Sequence, residues 1–148
     1  MLKMIIKYYL IPFLILLMFI PSCRKSDFPK DQFSITDIQI SNCLSVKEEI
    51  INLRTTDKYY LNFSNSNANF NCSPGQIIVG ASLKNDTIII SEYETEHNAN
   101  CICRHLVSGK IGPLNYGTYI IVVLQNGNER FKQGFDFYEI TDINIKPE

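Results

Sequence analysis

Beyond residue 32 the chain consists of short segments rich in Ile, Val, Tyr, Phe and Thr, and this pattern limits the fold more than any other feature. β-branched and aromatic residues favour strands, whereas the clusters of Asn, Gly, Pro and Ser between the segments favour turns. No segment keeps a helical hydrophobic period. The predicted strands span residues 33–40, 48–55, 58–63, 76–83, 87–94, 101–107, 117–124 and 129–140.

Alternation along these segments predicts that each strand has one buried and one solvated face. Tyr59, Leu61 and Phe63, for example, share one face. Residues 84–86 predict a tight turn, and Asn126 with Gly127 predicts a two-residue hairpin because both positions accept positive φ. Seven or eight short strands with regular turn signals predict one all-β domain over residues 33–148, folded as an antiparallel sandwich or a barrel.

One local motif favours the sandwich. Leu114, Gly117 and Tyr119 form an L-x-x-G-x-Y pattern that resembles the tyrosine corner of immunoglobulin-like domains. There the Tyr hydroxyl bonds a backbone group a few residues upstream and fixes the crossover between the two sheets. The resemblance implies an immunoglobulin-like antiparallel β-sandwich in which 117–124 is the sixth strand and 129–138 the seventh.

The predicted β domain contains four cysteines: Cys43, Cys72, Cys101 and Cys103. In an exported chain they predict two disulfides. On an extended strand Cys101 and Cys103 point to the same face and are poorly placed for a mutual bond, so we expect one to bond Cys43 and the other Cys72, in either arrangement. The crosslinks are expected to hold an Asn-rich loop, residues 65–71, against the sandwich.

A zinc site is the alternative use of these side chains. Cys101, Cys103, His97 and His105, with Cys43 or Cys72 nearby, supply enough ligands for a tetrahedral site. The single residue between Cys101 and Cys103 departs from the usual zinc spacing, and export favours disulfides. We therefore expect no metal, and no special role for either histidine.

Side chains suited to catalysis are few. Glu92, Glu94 and Glu96 share one face of a strand and its exit, where they could pair carboxylates. Alternating charge on a solvated strand face explains them more simply. The sequence contains no glycine-rich phosphate loop, G-x-S-x-G elbow or H-E-x-x-H motif. It predicts a protein that is not an enzyme and that needs no cofactor.

Residues 1–22 differ from the rest of the chain. Lys3 and Lys7 precede an apolar run from Leu10 to Ile20, and the segment has no acidic residue. A basic start, an apolar run of about 7–15 residues and a small residue at the end are typical of a secretory signal peptide. A membrane span needs about 20 apolar residues, so this shorter run indicates cleavage.

The sequence Ile-Pro-Ser-Cys at 20–23 resembles the lipobox of bacterial lipoproteins, although Pro21 departs from the usual small residue. The resemblance implies that Cys23 is lipidated and becomes the first mature residue. Two or three acyl chains hold a protein on a membrane stably. Residues 23–32 are mostly polar and are predicted to form a flexible tether. The alternative is an ordinary secreted chain with an unpaired Cys23 thiol.

Charge composition bears on the partners. Lys and Arg number 14 against 15 Asp and Glu, which gives no broad basic field for phosphate backbones and excludes nucleic acid as an expected partner. The expected partners are the membrane, through acyl chains on Cys23, and another envelope protein or a glycan. Asp86-Thr87-Ile88 resembles an O-glycosylation sequon of Bacteroidota, which makes Thr87 a candidate modification site.

The lipobox, the cysteines and the C-x-C run before the Leu-Gly-Tyr motif together resemble small lipoproteins of Bacteroidota. The resemblance implies a location at the outer membrane, on its periplasmic or cell-surface face. The acids that often follow the lipidated Cys are replaced by Arg24 and Lys25. We expect a non-enzymatic binding, accessory or structural module. The alternatives are a lipocalin-like barrel that carries a small apolar ligand and, resting on the three glutamates, a small hydrolase.

Overall fold

The computed structural model describes residues 32–45, 48–96 and 98–146. The proposed signal peptide, Cys23 and all of the tether but its last residue lie outside this range. The described chain forms nine strands in two sheets and no helix, which confirms the predicted all-β sandwich. The strands are β1 (Ser34–Ile40), β2 (Ile51–Asp57), β3 (Tyr60–Asn71), β4 (Ile77–Lys84), β5 (Thr87–Glu94), β6 (Ile102–Gly112), β7 (Gly117–Gln125), β8 (Asn128–Phe137) and β9 (Asp142–Ile145).

The strand order differs between the two sheets. The five-stranded sheet has the order β1-β6-β3-β2-β9, and the four-stranded sheet has the order β4-β5-β7-β8. All described neighbours are antiparallel except β5 and β7, which run parallel. The prediction of a purely antiparallel sandwich is therefore wrong at this pair. The two strands can be parallel because β6 carries the chain through the other sheet between them.

The inward faces of both sheets meet in one hydrophobic core. Its largest fully buried side chains include Phe63, Phe70 and Phe137, and each such burial contributes about 1.5–3 kcal/mol. The described strands form two separate sheets with free edges rather than a closed cylinder. The alternative of a lipocalin-like barrel is therefore wrong for this part of the chain.

Both predicted hairpin turns are present. Asn85 connects β4 to β5 with φ at 53°, and Asn126 and Gly127 connect β7 to β8 with φ at 49° and 81°. Asn and Gly adopt this left-handed region at low cost, so these residues form the turns that the sequence predicts.

Two parts of the predicted strand map are wrong. β3 continues through residues 65–71, which the sequence predicted to be a loop, and a bulge lies between Asn65 and Ala68. β9 follows a short connection after β8 and was not predicted. It pairs with β2, and brings the described strands to nine rather than seven or eight.

Tyr119 makes the hydrogen bond that defines a tyrosine corner. Its hydroxyl donates to the backbone carbonyl of Asn115 at 2.9 Å, and Leu114 is buried beside it. Gly117 is the first residue of β7. The strand that carries Tyr119 is the seventh described strand and the next one is the eighth, so the expected numbering is wrong by one.

Two disulfides join the strands at one end of the sandwich. Cys43 is bonded to Cys103, and Cys72 is bonded to Cys101. The structure thus confirms that one cysteine of the C-x-C pair bonds Cys43 and the other Cys72, and it selects between the two arrangements. Both bridges lie where β6 begins, next to the end of β1 and the end of β3.

Candidate functional site

A polar groove lies on the outer face of the five-stranded sheet and has a volume of about 360 Å³. Strands β1, β2, β3 and β6 supply its walls. The lining residues are Asp37, Gln39, Asn52, Arg54, Asn62, Phe63, Ser64, Ser108, Gly109 and Lys110. We call this surface the polar groove. It exists because alternate residues of each strand point away from the core and are polar.

The strand register places the polar side chains of the groove in two rows. The first row comprises Asn52, Ser64, Ser108 and Gln39, and the second comprises Arg54, Asn62, Lys110 and Thr36. Neighbours within a row lie on adjacent strands about 4.8 Å apart, and the rows are two residues, about 7 Å, apart along each strand. Donors and acceptors therefore converge on one surface from four strands.

Several of these side chains have hydrogen-bonding capacity to spare. Within the described residues, no side-chain hydrogen bond or ion pair engages Arg54, Asn62 or Gln39. At the edge of the groove Asn52 is held in place, since its Nδ2 donates to Asp142 at 3.2 Å and to Asn144 at 3.0 Å. A bound molecule would therefore meet free donors and acceptors beside a fixed amide.

The charges of the groove nearly balance. Lys110 Nζ lies 2.9 Å from Asp57 Oδ2 and 4.4 Å from the centre of the Tyr60 ring. The hydrogen bond with Asp57 raises the pKa of Lys110, so this lysine stays protonated and paired. Arg54 and Asp37 supply one further charge of each sign. The arrangement suits a polar ligand without a large net charge.

A β-bulge shapes one wall of the groove. The register of β1 against β6 shifts between Thr36 and Gln39, and Asp37 within the shift has φ at 52°. An aspartate tolerates this left-handed conformation better than most residues do. Bulges often re-aim side chains beside binding sites, and here the bulged residue lines the groove.

A second polar cluster lies inside the sandwich around Glu92. Glu92 is fully buried, and Asn65 Nδ2 donates to its carboxyl oxygens at 3.2 and 3.4 Å. Burial raises the pKa of Glu92 to about 8; the hydrogen bond from Asn65 opposes this shift and the nearby Glu49 adds to it. The expectation that Glu92 lies on a solvated strand face is wrong, because residue 92 continues the inward face formed by Ile88 and Ile90.

The three glutamates do not form a catalytic pair. Glu94 is half-buried and accepts from the backbone N–H of Asn71 at 2.6 Å and from Asn126 Nδ2 at 3.0 Å. Glu96 is exposed after the end of β5. Since Glu92 is closed off from solvent and Glu94 is engaged by hydrogen bonds, the geometry gives no observation in favour of the hydrolase alternative.

Buried polar atoms without a partner adjoin the Glu92 cluster and strand β6. Among the described residues they are Asn67 Oδ1, Gln125 Nε2 and His105 Nε2. Gln125 is the register partner of Glu92 on β7. The other ring nitrogen of His105 lies 2.8 Å from the backbone oxygen of Ser41. His105 is a buried residue of β6, in agreement with its predicted place in a strand.

The cysteines of the zinc alternative are not available as thiolates. All four cysteines of the β domain are joined in disulfides, and His97 lies outside the described residues. Over residues 32–45, 48–96 and 98–146, no group of three or more His, Cys, Asp or Glu side chains is placed to hold a metal ion.

The candidate modification site, Thr87, is half-buried at the first position of β5, directly after the Asn85 turn.

Comparison with known proteins gives no match: no family model, no curated protein and no solved structure corresponds to the chain. The described segments contain no helix that is long and apolar enough to cross a membrane.

Sequence reasoning did not find the polar groove. Its residues come from four strands and are separated by as many as 73 positions between Asp37 and Lys110. The one available signal was the run of polar residues on the solvated faces of β2 and β3. That signal alone does not distinguish a binding surface from ordinary solvation.

Proposed function

We propose that this chain is a lipoprotein of the cell envelope, anchored to the outer membrane through Cys23, whose β-sandwich is a non-enzymatic binding or accessory module. Its partner is a glycan or another envelope protein, and the polar groove is the contact surface. The observation that carries the proposal is the convergence of Arg54, Asn62 and Gln39 on one groove with their side chains unengaged within the described residues.

The interior of the sandwich supports a binding role over a carrier role. Core side chains of both sheets pack against one another in a single cluster, as in a sandwich whose surface rather than interior contacts its partner. The groove carries donors and acceptors of both charges but no nucleophile paired with a base. This chemistry holds and orients a ligand, and it transfers no group.

Two features support the envelope location. The Ile-Pro-Ser-Cys sequence at 20–23 supplies the modification site, and two or three acyl chains at about 0.8 kcal/mol per buried methylene anchor a protein stably. The disulfides Cys43–Cys103 and Cys72–Cys101 are typical of an oxidising compartment. The tyrosine corner at Tyr119 supports the finer proposal of an immunoglobulin-like sandwich, whereas the parallel β5–β7 pair departs from that fold.

Mass spectrometry of the mature N-terminus, on protein extracted from native membranes, tests the anchor. We expect the chain to begin at Cys23 with acyl chains attached, and the Cys23→Ser variant to leave the membrane fraction. A mature chain that begins at Met1, or a membrane fraction that retains the Cys23→Ser variant unchanged, would overturn the anchor.

Chemical protection of Arg54 tests the groove. Phenylglyoxal modifies exposed guanidinium groups, so an occupied groove should slow the modification of Arg54 in intact envelopes compared with purified protein. Arg104, which is exposed on β6, is the internal reference. An unchanged ratio of Arg54 to Arg104 modification would contradict the groove as the contact surface.

A further inference from the structure

We infer that the ligand is an extended, uncharged glycan that occupies the polar groove and continues into a second site at the neighbouring end of the sandwich. This inference rests on the proposed function, since it names the ligand class of the same surface. The second site is a notch of about 330 Å³ lined by Thr55, Thr56, Asp57, Lys58, Tyr116 and Glu139. We call it the tyrosine notch.

One exposed aromatic ring, that of Tyr116, lines the tyrosine notch, and the exposed ring of Tyr138 lies beside it. Tyr116 and Tyr138 are 40% and 53% exposed, with ring centres 6.3 Å apart. Tyr116 also packs edge-on against the buried ring of Phe137 at 5.6 Å, which fixes its position. A tyrosine presents an apolar ring with a polar tip, and this combination suits a sugar ring, whose C–H faces are apolar and whose edge carries hydroxyls.

Polar groups surround these rings. Asp57 and Glu139 supply carboxylate acceptors, whereas the hydroxyls of Thr55 and Thr56 already donate to the backbone oxygens of Tyr138 and Tyr60, each at 3.1 Å. The rim therefore consists mainly of acceptors, and the hydroxyls of a sugar can donate to them. The notch therefore combines a flat apolar surface with hydrogen-bonding groups at its rim.

The polar groove and the tyrosine notch have no lining residue in common, but one residue of each is in direct contact. The Asp57–Lys110 ion pair joins them, because Lys110 lines the groove and Asp57 lines the notch. Both surfaces also share strand β2 and its turn: Asn52 lies in the groove and Lys58 in the notch. Six residues of extended chain span about 20 Å. This length fits an oligosaccharide better than a single sugar.

The balance of charges favours an uncharged ligand over an anion. Lys110 is neutralised by Asp57, and the two other charged residues of the lining, Arg54 and Asp37, have opposite signs. In the notch Asp57 is paired with Lys110, and Lys58 and Glu139 supply one charge of each sign, so the notch has no excess of positive charge for a phosphate or sulfate. A peptide strand would instead seek unpaired backbone groups at a sheet edge. Strand β1 offers such an edge at one margin of the groove, but the rest of the groove lies over β3 and β6, whose backbone groups are already paired in the ladder.

Calorimetric titration of the full lipoprotein in detergent micelles tests the inference. The probes are cellohexaose, chitohexaose and maltohexaose, their disaccharides, and a sulfated heparin hexasaccharide as the charged comparator. We expect at least one neutral hexasaccharide to bind at least tenfold more tightly than its own disaccharide, because only the longer ligand reaches both sites. Binding by none of the neutral probes, equal affinity for short and long ligands, or tighter binding of the sulfated probe would overturn it.

Matched variants assign the two sites. Arg54→Ala should weaken the disaccharide and the hexasaccharide by about tenfold each, whereas Tyr116→Ala should weaken only the hexasaccharide by about that factor. Tyr93→Ala, at a residue 44% exposed on the other sheet, and Gln133→Ala on β8 are the controls and should leave both affinities unchanged. An equal loss from Tyr93→Ala and Tyr116→Ala would contradict the tyrosine notch.

The two proposals fail in different ways. Protection of Arg54 in native envelopes without glycan binding would overturn the ligand class and leave the proposed function standing. Absence of both protection and binding would overturn the groove as a functional surface. Tyr116→Phe provides a further check, since it keeps the ring and should retain at least half of the hexasaccharide affinity.

Discussion

The buried carboxyl of Glu92 makes the stability of the domain depend on pH in a direction that can be measured. Its pKa rises from the usual 4.5 to about 8 in the folded protein because burial removes the water that would solvate the charge. Below pH 4.5 the group is protonated in both the folded and unfolded states. As pH rises, the unfolded chain releases the proton first, so folding becomes less favourable until pH passes about 8.

The loss of stability depends on the difference between the pKa values of Glu92 in the folded and unfolded states. Each pH unit between the two pKa values costs about 1.4 kcal/mol of stability, so the loss from pH 4.5 to pH 8 is about 5 kcal/mol. That is comparable to the whole stability of a small domain, about 5–15 kcal/mol. We therefore expect Glu92→Gln, which cannot ionise and keeps a similar volume, to be more stable than the natural protein above pH 7 and close to it at pH 5.

Urea unfolding at equilibrium, followed by circular dichroism from pH 5 to pH 9 with the disulfides intact, measures the effect. The quantity of interest is the difference in unfolding free energy between the natural protein and Glu92→Gln at each pH, because other ionisable groups cancel in it. Glu96→Gln, the same substitution at an exposed position, is the matched control. A flat difference for Glu92→Gln would refute the reasoning from burial.

Three further predictions concern single interactions. Tyr119→Phe removes the hydrogen bond to Asn115 and should cost about 1 kcal/mol, read as a lower Tm, with Tyr93→Phe as the control. Phe63→Ala empties a fully buried position and should cost about 3–5 kcal/mol in urea unfolding, whereas a loss below about 1 kcal/mol would contradict its place in the core. Replacing Cys43 and Cys103 together by Ala opens a crosslink between residues 60 positions apart and should cost about 2–4 kcal/mol, measured without reductant against the intact protein; equal midpoints would show that the bond contributes nothing.

The strands that could be predicted are those whose composition and alternation agree. β5 and β7 are rich in β-branched residues, and their starts coincide with the predicted ones; β5 alternates buried and more exposed residues, whereas β7 buries three successive residues at 121–123. The predicted strand ends at residue 63, well before the end of β3, because Asn is rare in strands. In the structure Asn65 and Asn67 nevertheless face inward. A composition rule cannot anticipate that polar side chains satisfy one another inside a core, as Asn65 does with Glu92.

The pairing of strands was the other unpredictable element. Turn residues indicate a hairpin, so the pairs β4–β5 and β7–β8 can be predicted from Asn85 and Asn126. No local sequence feature indicates that β5 lies beside β7 or that β9 pairs with β2, because such pairs are set by packing across the whole domain. The polar groove depends on the same long-range pairs, which explains why its residues could not be grouped beforehand.

The Cys43–Cys103 bond has a mechanical consequence for any load applied at the N-terminal side of the domain. Such a load reaches β1 first, and β1 lies at the margin of its sheet with β6 as its neighbour. Peeling can proceed along β1 only to Cys43, where the covalent link passes the pull directly to β6. A pull on that side would then separate β1 alone and leave the other strands paired.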